Sequence, residues 1–100
     1  MASSLTSGNI AIIHDSPNKV FRAISSNGIE VGHLEYRLIG SKTIDFYHTY
    51  TRPEAQGKGV AGKMVETGVV WAQERHMRIL GSCSYVDAFL KRNPKYTSSL

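Results

Sequence analysis

The feature that most constrains the fold is where the one long helical stripe falls. Val60, Ala61, Met64, Val65, Gly68, Trp71 and Ala72 recur at i, i+1, i+4, i+5, i+8, i+11 and i+12, one apolar face at helical period. Lys63, Glu66, Gln73 and Glu74 face away, and Arg75-His76 suits the C-terminal end. Nearly everything before this helix reads as strand. Residues 9–14 form a short apolar run that stops at the turn cluster Asp15-Ser16-Pro17-Asn18. Residues 20–25 follow, and Asn27-Gly28 is a two-residue hairpin signal. Residues 29–39 set Leu34, Tyr36 and Leu38 against His33, Glu35 and Arg37, the alternation of a half-buried antiparallel strand. Residues 43–51 put Ile44, Phe46, His48 and Tyr50 on one face before Pro53 breaks the pattern. After the helix, residues 77–82 read as one more strand and residues 85–90 as a short helix stopped by Asn93-Pro94. The expected class is α+β: an antiparallel four-strand meander, a long helix, a parallel fifth strand and a short C-terminal helix in a mixed-sheet arrangement.

The long helix opens from a glycine loop, QGKGVAGK at residues 56–63. Glycines let a tight loop present its backbone N–H groups, and the helix that follows adds its positive end, so the loop reads as a phosphate cradle. Three patterns overlap in it. Gly57, Gly59 and Gly62 fit the dinucleotide G-x-G-x-x-G, but four strands precede the loop and no acidic residue stands at the ribose-binding spacing. Gly57, Gly62 and Lys63 fit most of a Walker A, but Met64 stands where a magnesium-binding Ser or Thr is needed. Gln56, Gly59 and Ala61 fit Q/R-x-x-G-x-G/A, the acyl-CoA pyrophosphate loop of N-acetyltransferases, and nothing in the context opposes it.

Composition removes other classes. A chain of 100 residues with a 41% apolar share suits one domain, taken as residues 9–96 between a loose tail (1–8) and a frayed end (97–100). Cys83 is the lone cysteine, so no internal disulfide forms and a reducing, cytoplasmic or nuclear setting is expected. No apolar run approaches membrane-spanning length. The net charge of +4 is mild and scattered, and Tyr36 points opposite Arg37, so no aromatic-basic platform for nucleic acid is built. The other histidines, His14, His33 and His76, share no ligand spacing with one another or with Cys83, and no metal site is expected.

Four marks in order carry a resemblance: His48-Thr49, the loop from Gln56 to Ala61, Cys83-Ser84-Tyr85 and Pro94-Lys95-Tyr96. Over most of the chain the sequence resembles a very short member of the GNAT superfamily of N-acetyltransferases. The resemblance implies that the fourth and fifth strands splay and that the pantetheine arm of acetyl-CoA pairs with Thr49, Tyr50 and Thr51. Backbone N–H groups of Gly57, Lys58, Gly59, Val60 and Ala61 would hold the pyrophosphate, with Gln56 adding a side-chain contact. A backbone N–H near Tyr50 or Thr51 would serve the oxyanion. Many members use a tyrosine on the helix after the fifth strand as general acid; the matching region here has Phe89 and no tyrosine before Tyr96. Cys83 is the substitute candidate, as acid or as nucleophile, and His48 is the candidate base. Each has a plainer role, Cys83 as a small buried hydrophobe and His48 as a strand histidine satisfied by a neighbour. Tyr47, Tyr85 and Tyr96 either line an acceptor groove or sit at the sheet margin, and Arg92 and Asn93 are placed to close the site.

The function these marks imply is acetyl-CoA-dependent transfer of acetyl to an amine. The chain carries no further strands after the short helix, so the expected acceptor site is an open cleft suited to a protein lysine or N-terminus. The alternative is a catalytically degenerate module that binds coenzyme A or an acyl-CoA without chemistry.

Overall fold

Five strands in the order β1-β2-β3-β4-β5 form one sheet across residues 9–97, the part of the chain that the computed structural model describes. β1 (Ala11–Asp15), β2 (Val20–Ile24), β3 (Glu30–Ile39) and β4 (Thr43–Thr51) run antiparallel to their neighbours, and β5 (Arg78–Gly81) lies parallel to β4. α1 (Val60–Glu74) makes the crossover from β4 to β5, and α2 (Ser84–Arg92) follows β5. This is the α+β mixed sheet that the sequence implies. The expected tail at residues 1–8 and the last three residues of the expected frayed end lie outside the described residues. Among the described residues no helix is long and apolar enough to cross a membrane.

One face of the sheet holds the core. Phe21 and Ala23 of β2, Leu34 and Tyr36 of β3, and Ile44 and Phe46 of β4 are buried there under Val60, Met64, Val65, Val69 and Ala72 of α1. Gly68 marks the closest approach: a Cβ there would meet Leu34 Cδ2 and Phe46 Cε1, each at 3.0 Å. Trp71 is half-buried, edge-on to the His14 ring at 4.6 Å, with the Arg75 guanidinium over its ring at 4.4 Å. α2 packs on the same face, since a Cβ on Gly81 would meet Val86 Cγ1 at 2.9 Å and the Asp87 amide nitrogen at 3.0 Å. The opposite face is covered by no described helix.

Two local expectations change. The β2–β3 connection is longer than a two-residue turn: the Gly28 N–H donates to the Ser25 carbonyl at 2.9 Å, and the Ser25 N–H to the Ile29 carbonyl at 2.8 Å. Gly28 takes φ 83°, so Asn27-Gly28 forms the far side of a wider loop. Leu38, expected beside Leu34 and Tyr36 in the core, is 44% exposed because β3 runs on past the cover of the helices.

The consequential change is in β4. Glu35 pairs with His48 but Tyr36 pairs with Phe46, so Tyr47 is an extra residue, a β-bulge. Side chains beyond it swap faces. Ile44 and Phe46 point into the core, but His48 and Tyr50 emerge on the uncovered face, where both are exposed and flank His33. The expected common face of Ile44, Phe46, His48 and Tyr50 does not exist, and His48 is exposed.

Candidate functional site

The glycine loop leaves β4 through a 3-10 turn at Pro53–Ala55. Gly57 and Gly59 have φ of 77° and 81°, and nothing lies within 4 Å of a Cβ built on either. Backbone conformation, rather than crowding, therefore calls for glycine at both positions. Gly59 precedes α1, and the Lys63 N–H reaches the Gly59 carbonyl at 3.0 Å. The amides of Val60, Ala61 and Gly62, in the first turn, come too early to have an intrahelical acceptor. They and the helix dipole direct positive potential into the space before the helix. That space is a cleft of about 230 Å³, walled by Thr51, Ala55, the loop from Gln56 to Gly62 except Lys58, and Tyr85.

Two side chains differ from their expected settings. The Gln56 side-chain amide donates to the Thr51 carbonyl at 3.0 Å, tying the loop to the end of β4. Tyr85 lies on the first turn of α2, so the helix after the fifth strand does carry a tyrosine before Tyr96. Its hydroxyl sits 3.6 Å from where a Cβ of Gly62 would be, ordinary contact distance, which places the tyrosine over the loop.

Next to this cleft the sheet opens. β4 and β5 pair only from Thr43↔Arg78 to Phe46↔Gly81, and the Cys83 N–H donating to the Phe46 carbonyl at 3.2 Å closes the base of the gap. β4 continues to Thr51 with no partner on that side among the described residues. Beyond the bulge, Thr49 faces the gap, with Oγ1 3.6 Å from Cys83 Sγ. Cys83 is half-buried and stands at the N-cap of α2. Burial pushes its thiol pKa up. The Val86 amide, the Thr49 hydroxyl, and the amides of Tyr85 and Thr49 outweigh that and hold it below the ordinary cysteine value. No capping hydrogen bond joins the neutral thiol to the helix, yet these dipoles favour the thiolate.

Asp45 fixes the turn that carries the thiol. It is 4% exposed, and its carboxylate accepts the Ser82 N–H at 2.9 Å, the Ser82 hydroxyl at 2.8 Å and Arg37 Nε at 3.1 Å. Burial raises its pKa, but the Ser82 and Arg37 donors hold it below the usual carboxylate value. Nothing in the local sequence distinguishes this aspartate from an exposed strand residue, except that Ile44 and Phe46 on either side are apolar.

A family model for GCN5-related N-acetyl-transferases matches residues 21–100. The chain belongs to the GCN5-related N-acetyltransferase family. It is 25% identical to the NATD1 protein of Xenopus tropicalis over 88 residues, covering 88% of this chain and 81% of that one. The NATD1 proteins of Danio rerio and Bos taurus are 24% and 25% identical, with 80% and 75% of their lengths covered. A GCN5-like protein from Staphylococcus aureus, solved by NMR, superposes with a TM-score of 0.68 at 26% identity, covering 88% of this chain and 84% of that chain. Membership supports acetyl transfer as the class of chemistry, and the family in general uses acetyl-CoA.

The residues present fit the diphosphate end of that molecule: two left-handed glycines, a helix N-terminus and a cleft of suitable size meet at one place. Of the strand residues named from the sequence, Thr49 and Thr51 face the gap and the cleft, whereas Tyr50 faces the other side. Tyr96 is buried against Phe89 with ring centroids 5.9 Å apart, so it lines no groove. Asn93 donates its side-chain amide to the Phe89 carbonyl at 2.8 Å, finishing α2. Tyr47 lies on the uncovered face, its hydroxyl 3.0 Å from Glu35 Oε1 and the Arg37 guanidinium over its ring.

Proposed function

We propose that this protein is an acetyl-CoA-dependent N-acetyltransferase whose reactive centre is the gap between β4 and β5. The observation that carries the reading is the junction of two features. A glycine loop with free helix-start amides opens into the same region as an unpaired length of β4, and Cys83 sits at the base of that length. Acetyl-CoA would supply an activated thioester.

The chain's own groups then divide the work. Backbone N–H groups of Gly57, Lys58, Gly59, Val60 and Ala61 bind the diphosphate, and the open edge of β4 at Thr49, Tyr50 and Thr51 orients the pantetheine arm. A backbone N–H of Tyr50 or Thr51 is the proposed donor to the acetyl oxygen as charge develops there. Cys83, held by Thr49 at the base of the gap, either takes the acetyl group onto sulfur or returns a proton to the departing thiolate. Its lowered pKa favours the nucleophilic role. His48 stands on the uncovered face of the same unpaired stretch and is the proposed base for the acceptor amine. Since no described helix covers that face, the acceptor reading this favours is a lysine or N-terminus on a protein surface.

Thermal unfolding with acetyl-CoA, Mg-ATP and NAD in parallel tests the cofactor. A ligand at 100 times its Kd adds about 2.7 kcal/mol. For a domain of this size that corresponds to a rise of roughly 10 °C or more. A shift with acetyl-CoA alone is the expected result, and a shift only with ATP or NAD overturns the reading. Intact mass after incubation with acetyl-CoA and no acceptor separates the two roles of Cys83. An acetyl adduct absent from Cys83→Ala makes it the nucleophile; its absence in wild type, with turnover retained, makes it the proton donor.

A further inference from the structure

The uncovered face of the sheet carries a second cluster. His33 and Glu35 are two residues apart on β3 and share that face; the bulge at Tyr47 turns His48 of β4 onto it, opposite Glu35. One ligand atom from each of the three residues lies within 4.8 Å of the others. In a tetrahedral site donors about 2.0–2.2 Å from the ion stand roughly 3.3–3.6 Å apart, so side-chain movements of about 1 Å bring all three onto one ion.

What separates this cluster from a chance meeting of surface side chains is the support behind it. Glu30 Oε2 lies 3.3 Å from His33 Nδ1, the arrangement in which an Nδ1–H would donate outward and Nε2 would be presented as a ligand. Nε2 in turn faces Glu35 Oε2 at 3.3 Å. An ion seated between these two atoms would be bound by both. Tyr47 donates to Glu35 Oε1 at 3.0 Å, which aims the other carboxylate oxygen at the histidine. Arg22 holds Glu30 Oε1 at 3.1 Å and is itself anchored by Asp15 at 3.0 Å. Outer partners of this kind, a carboxylate on the far nitrogen of a ligand histidine and a donor on a ligand carboxylate, are those that orient metal ligands.

We infer that His33 Nε2, Glu35 and His48 form a site for one divalent transition-metal ion of the zinc class, with Glu30 and Tyr47 as orienting partners. Two imidazoles and one carboxylate suit such an ion and leave its remaining positions open to solvent. Binding itself does not depend on the proposed function. Only if that reading holds does a further effect follow, because the ion would occupy the lone pair of the proposed base.

Zinc titration of the full, tag-free chain in a Cys83→Ser background, by calorimetry or chelator competition, tests the site without interference from the thiol. One ion per chain is expected. His33→Ala and His48→Ala should each weaken binding at least about tenfold, and Glu30→Ala should weaken it about 10–100-fold through the outer partner. Circular dichroism confirms that each variant is folded. No zinc binding overturns the inference. So does binding unchanged within about twofold by the histidine variants, or binding that ignores Glu30→Ala and so reports only an adventitious histidine pair.

Discussion

Thr49 Oγ1 lies 3.6 Å from Cys83 Sγ, across the point where β4 and β5 part. The contact spans the gap and exists only because the bulge at Tyr47 turns Thr49 toward it. It joins the backbone chemistry of one strand to the side-chain chemistry at the start of a helix.

Thr49 also helps to set the thiol. Its hydroxyl favours the thiolate, so Thr49→Val should raise the Cys83 pKa. The pH dependence of iodoacetamide alkylation reads this directly. Wild type should have its midpoint below that of an unperturbed cysteine, and the valine variant should move upward. An unmoved midpoint would remove Thr49 from the account.

Gly59→Val should abolish the loop's function while leaving the fold. The position has φ 81°, where a β-branched residue is strained by roughly 1–3 kcal/mol. The loop will relax to another path, and its amides will no longer converge. Affinity for coenzyme A, measured by calorimetry, should drop at least about tenfold, whereas unchanged affinity would reject the loop as the diphosphate site.

Asp45→Asn should destabilise the protein by about 1–3 kcal/mol at neutral pH, since Arg37 and Ser82 lose a charged acceptor in a nearly dry place. The folded pKa of Asp45 is depressed, so its stabilisation is complete above the unfolded value of about 3.9 and disappears as pH falls through the folded value. The gap in urea midpoint between wild type and variant should accordingly narrow as pH drops below about 4. A gap that stays constant would mean that the loss is one of shape rather than charge.

Gly81→Ala tests the seat of α2. The added methyl would meet the Asp87 amide nitrogen at 3.0 Å and the Val86 carbonyl carbon at 3.2 Å, backbone atoms that move only with the helix. A loss of about 1–3 kcal/mol is expected. Iodoacetamide reactivity of Cys83 should change with it, since the thiol rides on the same helix start. Stability loss with unaltered thiol reactivity would show that the cysteine is positioned from β4 instead.

The fold was legible because its elements repeat one signal over several turns or residues. The stripe on α1 and the alternation of Leu34 and Tyr36 against His33 and Glu35 each speak through many positions. The glycine loop was legible because φ above zero at Gly57 and Gly59 leaves few other residues to choose from. The site was less so. The run from Phe46 to Thr51 mixes aromatic and polar groups that suit either face, so a single inserted residue leaves no mark in the pattern. That one bulge reversed His48 and Tyr50, hid the pairing of Thr49 with Cys83 and concealed the neighbourhood of His33, Glu35 and His48. Tyr85 was visible as a residue but not as part of the cleft, because its place depends on where α2 starts relative to Gly62.

The extra residue at Tyr47 works as a frame shift in the pleat. Upstream of it, even-numbered side chains of β4 belong to the interior; downstream, the odd-numbered ones serve the gap and the even-numbered ones the open side. Pairing Tyr47 in register, with no bulge, would exchange the two sets and send His48 inward and Thr49 outward. Deleting Tyr47 would instead leave both where they are, because Glu35↔His48 and Tyr36↔Phe46 are already consecutive pairs. The deletion would straighten the strand and remove the hydroxyl that holds Glu35. One unpaired residue therefore lets a single strand serve the thiol on one side of the sheet and the histidines on the other.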